Sequence, residues 1–380
     1  MKEITNDNTK LDRLAEVNRL FLKLGIIGFG GPAVHIALME EEVVRKRAWM
    51  TKEHFLDLVG ATNLIPGPNS TEMAMHIGHE RAGWKGLVTA GCCFIVPAVL
   101  ITAFFAWLYQ RYGQLPQVQP FLYGIKPAII AVVVSLMIRL GRKALKNVEL
   151  GIIGVVAAVA TLAGVNEIYV LFGSGMIGII IHLATKAAKT SKSFFPFFLQ
   201  ISQTTTALSN YKLFWIFLKI GSILYGSGYV LFAFLDAELV SKKIISKQQL
   251  VDAIAVGQFT PGPVFSSATF IGWQISGIGG AIAATAGIFL PSFFLVAFLN
   301  PLIQRLRSSR IMGAFLDTVN IASVAIILSV IIEMGKETIM DWKTVFIAVL
   351  SFIITFYFKK LNSAFIIIGG AVLGYLLSFI

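Results

Sequence analysis

The chain carries one unit twice, and that repetition limits its fold more than any other feature. Phe21-Leu22-Lys23-Leu24-Gly25 recurs as Phe217-Leu218-Lys219-Ile220-Gly221. Leu64-Ile65-Pro66-Gly67-Pro68 recurs as Phe259-Thr260-Pro261-Gly262-Pro263, and Gly83-Trp84-Lys85-Gly86 as Gly277-Ile278-Gly279-Gly280. The offset drifts only from 196 to 195 to 194. We divide the chain into an N-terminal amphipathic segment (1–19), a first repeat (20–185), a linker (186–210) and a second repeat (211–380).

Each copy is too apolar for a water-soluble globule. The chain is 56% hydrophobic and 14% charged, against about 25% charged in soluble domains. At roughly 20 residues per spanning helix, each repeat holds six apolar segments. In the first they fall at about 20–38, 55–80, 84–109, 120–140, 148–164 and 167–184; in the second at about 213–235, 250–275, 279–303, 314–332, 343–358 and 362–380. The expected fold is an all-α polytopic membrane protein of two homologous six-segment halves. Cys92 and Cys93 are adjacent in an apolar run, which argues against a disulfide framework.

The formal net charge is +12. In a soluble protein that would point to nucleic acid; in a membrane protein it reports topology first. Arg139, Arg142, Lys143 and Lys146 follow the fourth segment of the first repeat, where the second repeat is near neutral. One loop earlier the bias swaps, to Arg305, Arg307 and Arg310. The same loop is then inside in one half and outside in the other, the pattern of an inverted repeat. Lys242, Lys243 and Lys247 run against that scheme. It also requires an odd number of crossings, which Phe194–Leu208 is too short and polar to supply clearly.

Pro-Gly-Pro inside an apolar segment breaks a helix. Non-helical backbone at membrane depth must face protein or a water-filled cavity, so both breaks belong at the centre. The second proline starts a new half-helix and leaves N–H groups free after it, a ready anion site. Asn69, Ser70 and Thr71 cluster there in one half and Ser266 in the other, beside Pro66, Gly67, Pro68, Pro261, Gly262 and Pro263. Asn63 and Gln258 precede the breaks as hydrogen-bonding candidates. The alternative is a pair of packing kinks. Gly30 and Gly31 before Pro32, and Gly226 in the second repeat, form a second candidate cavity lining, or small-residue packing.

Lys23 and Lys219 sit at one repeat position in apolar runs; they bind cargo or snorkel to the surface. Asp57, Glu72 and Asp252 are candidates for coupling. Lys126, replaced by Asn320 in the second repeat, either faces the cavity or snorkels. His76 and His79 lack further ligands at metal spacing. No nucleotide loop and no nucleophile–base set stands out, so neither a cofactor, a metal nor an enzymatic activity is expected.

At these residues the sequence resembles the chromate ion transporter family in its long-chain form. The likeness is carried by Phe29-Gly30-Gly31-Pro32 with His35, by the run from Asp57 to Glu72 and by Arg81-Ala82-Gly83-Trp84. In the second half it is carried by Gly226-Ser227-Gly228-Tyr229, Asp252 to Gln258, Thr260 to Val264, Ala268 to Gly272 and Gly287 to Pro291. The resemblance implies a plasma-membrane protein with oppositely oriented halves. It implies efflux of chromate, a tetrahedral dianion close to sulfate in shape, driven by voltage or a proton gradient. Sulfate or another oxyanion, and an anion channel, are the alternatives. The bilayer is the other partner, nucleic acid is not one, and oligomeric state is left open with a homodimer as one option.

Overall fold

The computed structural model describes residues 2–113, 115–186, 209–225, 228–299, 309–358 and 361–379. They are all-helical, with no strand among them. Helix α1 (Lys2–Ile27) runs unbroken, so the polar N-terminal stretch and the first apolar segment form one rod. Val17, Leu20, Phe21 and Leu24 lie on its buried stripe, while Leu11 is exposed. Gly30 and Gly31 adopt positive φ of 112° and 80°, and Pro32 then opens α2 (Pro32–Glu40). Thr51 caps α3 (Lys52–Thr62) by accepting from the His54 N–H at 3.2 Å.

The chain turns back at Pro66-Gly67-Pro68, where Gly67 has φ 139°. Next comes α4 (Asn69–Tyr112), which is two helices joined at a non-helical Ala82-Gly83. A Cβ on Gly78 would strike the Gly86 carbonyl and lie 2.5 Å from the Ala90 Cβ. On a straight helix those positions would be about 12 Å or more apart, so the chain reverses at Gly83. His54 at the start of α3 lies 3.6 Å from Glu80 at the end of the half-helix. Residues 52–81 are therefore a hairpin with Pro-Gly-Pro at its tip, rather than a kinked rod running straight on.

The first half continues with α5 (Gln119–Ala144), α6 (Val148–Leu162) and α7 (Glu167–Lys186). The second repeats the plan. It begins with α8 (Asn210–Ile223), short α9 (Leu231–Leu235) and α10 (Lys247–Phe259). After the second Pro-Gly-Pro comes α11 (Ser267–Leu299), which reverses at Ser276-Gly277 as α4 does at Ala82-Gly83. Then follow α12 (Arg310–Thr338), α13 (Trp342–Tyr357) and α14 (Ser363–Leu377). Helices α4, α5, α7, α11 and α12 are long and apolar enough to cross a membrane. Ile152, Val155, Val156 and Val159 of α6 all point outward, a surface suited to lipid rather than water.

The halves interlock. α6 and α7 pack on α12, while α13 and α14 pack on α5. Small residues permit the close crossings: Gly124 meets the Gly370 carbonyl and Gly374, and Gly175 and Gly178 meet Phe315 and Thr318. Tyr123, near the start of α5, hydrogen-bonds Asp341 just beyond α12. Lys146, just beyond α5, bonds Asp317 near the start of α12 at 2.7 Å. These repeat-equivalent helices thus run antiparallel.

Candidate functional site

A cavity of about 1270 Å³ opens between the halves, room for about 40 waters. Two helix N-termini reach it. One is α2, whose Gly30, Pro32, Ala33 and Val34 line the wall. Pro32 has no donor, and Val34 and His35 N–H bond back to Gly31 at 3.1 Å. The other is the half-helix of α4, represented by Pro68, Asn69 and Ser70. Thr71 and Glu72 N–H return to the Pro68 carbonyl, so Asn69 and Ser70 are the turn without intrahelical acceptors. Asn69 donates its side-chain N–H to Asn63 Oδ1 at 2.7 Å, and Asn63 also lines the cavity.

The opposite wall is α12, with Asp317, Asn320 and Ser323; Gly228, Val264 and Phe265 complete the floor. Arg139, Arg142, Lys143 and Lys146 line the mouth. Four cations against the single Asp317 make it basic. In the sequence those four are topology signals, and nothing in their spacing places them on a cavity wall.

The breaks are tied together across the halves. Gly67 N–H donates to Leu224 O at 2.9 Å, and Gly262 N–H to Gly28 O at 2.7 Å. Gly28 O also accepts from His35 Nε2 at 2.8 Å. Beneath the first break lies Glu72, fully buried, accepting from Ser292 Oγ at 3.2 Å. Its Oε2, with Thr71 Oγ1 and both His76 ring nitrogens, has no hydrogen-bond partner in the structure. The second break is plugged instead: Thr102 donates to Ser266 Oγ at 3.1 Å, and Gly262 faces Ala98.

The structure brings Gly30, Asn63, Pro68, Asn69 and Ser70 to this cavity. Gly31, Pro66, Gly67, Thr71, Glu72, Gln258, Pro261, Gly262, Pro263 and Ser266 do not line it. Gly226 lies outside the described residues, as do Arg305, Arg307 and Phe194–Leu208. Asp57 is exposed on α3.

Lys23 and Lys219 are not brought to the cavity. Lys23 Nζ is 3.0 Å from Glu42, and Lys219 Nζ is 2.6 Å from Glu238. Each carboxylate lies 19 residues after its lysine, so the pair is itself part of the repeat, a signal that was present in the sequence. Burial alone would raise the Glu42 carboxyl. Hydrogen bonds from Arg47 and Lys23 overcome this and hold it at about 2, below its ordinary 4.5. Glu238 is likewise lowered against its burial by Lys219 and Lys242.

A second cavity, about 650 Å³, is lined by Tyr109, Gln110, Gln119, Ser246, Gln248, Gln249 and Gln274. Gln119 begins α5, whereas Arg139 to Ala144 end it, so the two cavities open at opposite ends of that helix. Asp252, 2% exposed, lies beside the second cavity. It accepts from Tyr109 Oη at 2.6 Å and lies 3.6 Å from Lys126 Nζ.

A family model described as Chromate transporter matches residues 15–179 and again 211–375. A probable chromate transport protein of Synechococcus elongatus is 27% identical over 373 residues, 95% of both chains. The chromate transport protein of Cupriavidus metallidurans is 28% identical over 372 residues, 95% of this chain and 92% of its own. That of Pseudomonas aeruginosa is 26% identical over 377 residues, 94% and 90%. No solved structure matches the chain.

Proposed function

The chain belongs to the chromate transporter family, and from that premise we propose that it is a secondary active transporter that exports chromate across the plasma membrane and so confers chromate resistance. The observation that carries this reading is one cavity joining two helix N-termini, at Pro32 and Asn69, to a mouth of Arg139, Arg142, Lys143 and Lys146. Fixed N–H dipoles replace the water shell of a tetrahedral dianion. Permanent charge stays at the mouth, where it attracts without trapping.

Inverted halves are supported by the antiparallel course of α5 and α12. Positive loops stay in the cytoplasm, so the large cavity takes cargo from that side. A dianion leaving a negative-inside cell gains about 4.6 kcal/mol per 100 mV, which adds to whatever drive a coupled proton supplies. Glu72 is the foremost coupling group, with Asp252 and Asp57 behind it. One chain encloses the cavity, so the mechanism needs no second copy. Backbone donors read shape and charge, and sulfate shares both; a sulfate-like oxyanion is the second reading.

Proteoliposome flux of labelled chromate, with pH and voltage gradients imposed separately, tests the proposal. Accumulation of chromate beyond its own electrochemical equilibrium, driven by the pH gradient with voltage held at zero, supports it. Flux that only runs down the chromate electrochemical gradient makes the protein a channel, and stronger competition by sulfate makes sulfate the cargo.

A further inference from the structure

Two cavities approach each other from opposite ends of α5, and something must separate them. Gln119 lines the smaller and Val132 the larger, with Lys126 between. At 1.5 Å per residue, Lys126 lies about 10 Å from one and about 9 Å from the other along the helix. Lys126 and Asp252, with side chains 16% and 3% exposed, are 3.6 Å apart. The same carboxylate accepts from Tyr109 Oη at 2.6 Å, and Tyr109 is itself a wall of the smaller cavity. The three side chains come from α4, α5 and α10, so the cluster ties three elements together between the two cavities.

The repeat makes the two ends of this path unlike. The counterpart of Lys126 is Asn320, and that of Asp252 is Asp57. Asn320 lines the open cavity and Asp57 is exposed. Asn320 carries no charge, so the Lys126–Asp252 pair has no repeat equivalent at positions 320 and 57.

We propose that Lys126, Asp252 and Tyr109 form the gate closing the far end of the cargo path, and that the glutamine-lined cavity beyond it is the release vestibule. This rests on the transport reading above. An oxyanion reaching Lys126 competes with Asp252 for the same ammonium, so arriving cargo loosens the pair that blocks it. Asp252 meanwhile repels anions while the gate is shut. Neutral amides in the vestibule hold a dianion weakly, which suits release.

The test uses the full chain with Cys92 and Cys93 replaced by serine and a single reporter, Asn320→Cys, exposed on the wall of the large cavity. Ser246→Cys identifies the face of the small cavity by its own labelling. A membrane-impermeant maleimide is then added from that face. Labelling of Asn320→Cys is expected to be slow with the gate intact. It is expected to be at least tenfold faster with Lys126→Ala, Asp252→Asn or Tyr109→Phe. The charge-swapped Lys126→Asp/Asp252→Lys chain is expected to return to the slow rate. Tyr109→Phe removes only a hydroxyl, which keeps the test decisive if the charge variants fail to fold. Equal labelling rates in the parent and every folded variant overturn the gate. Labelling needs no cargo, so a parent that moves no chromate while its gate variants label faster sinks the transport reading and leaves the gate standing.

Discussion

Gly67 donates its backbone N–H to the carbonyl oxygen of Leu224 at 2.9 Å, across the boundary between the halves. Gly262 makes the same bond to Gly28 at 2.7 Å. Gly67 and Gly262 are repeat equivalents, and so are Leu224 and Gly28. Each Pro-Gly-Pro tip is therefore pinned where the other half's first helix unwinds. Breaking a helix leaves unpaired donors and acceptors that would be costly away from water; the halves satisfy them for each other.

Gly67→Ala should be the most damaging small substitution at the breaks. Its φ of 139° strains any other residue, and a Cβ would collide with Glu72 Oε1 and lie 2.5 Å from Ser292 Oγ. Glu72 is fully buried and has no water to retreat into. Strain of this kind costs roughly 1–3 kcal/mol. The expected outcome is a lower unfolding temperature in detergent, partly restored by Ser292→Ala. An unchanged unfolding temperature contradicts the packing described.

Lys23→Ala and Lys219→Ala should lower stability without changing the KM for cargo. Each lysine is half exposed and its carboxylate keeps other partners, Arg47 and Lys46 for Glu42, and Lys242 for Glu238. The loss should stay near about 1 kcal/mol. Because the Glu42 carboxyl is held at about 2 when folded, its contribution is full above about pH 4.5 and fades as pH falls toward 2. Glu42→Gln should flatten that part of the stability–pH curve. A raised KM in either lysine variant would return the lysines to the cargo site.

The sequence showed the breaks but not the direction of the chain after them. Pro66-Gly67-Pro68 announces an interruption, and periodicity on either side is the same whether the helix runs on or turns back. What decides is contact between His54 and Glu80, and between Gly78 and Gly86, which only packing reveals. The repeat itself was legible, and with it Asn63, Asn69 and Ser70 as cavity residues. Glu42 and Glu238 were within reach, as repeat-equivalent acids at one spacing from repeat-equivalent lysines. Lys126–Asp252 was not, because it joins two halves at non-equivalent positions.

The mouth should steer cargo rather than hold it. Arg139→Gln and Lys143→Gln are expected to raise KM roughly two- to tenfold with little change in kcat, and to weaken its dependence on salt. Lys146→Gln should do less, since Lys146 is already paired to Asp317 at 2.7 Å. Initial flux rates at low and high ionic strength measure all three. A fall in kcat with KM unchanged would place these residues in the transport step instead.

Glu72→Gln should separate folding from coupling. Among the described residues no cation lies within ion-pair distance of this buried carboxyl, so the neutral isostere removes no salt bridge. Stability should be unchanged or slightly raised. If Glu72 carries the coupling proton, flux in the variant should respond to voltage and no longer to a pH gradient. Retained pH coupling at the parent level would remove Glu72 from that role.

Asn69→Asp offers the sharpest separation of cargo binding from structure. Asn69 is the first residue of the half-helix and lines the large cavity. A carboxylate at a helix N-terminus interacts favourably with the macrodipole, by about 0.3–1 kcal/mol. The same carboxylate occupies the field meant for the anion and repels it. The substitution also removes the amide N–H that donates to Asn63 Oδ1, which offsets that gain, so stability should change little while affinity for chromate falls by roughly 10- to 100-fold, or about 1.4–2.7 kcal/mol. Unfolding temperature and concentration-dependent flux, measured on one preparation, give both quantities. A variant that loses stability and affinity together has simply been damaged. One that keeps both its stability and its affinity shows that cargo does not bind at the α4 N-terminus.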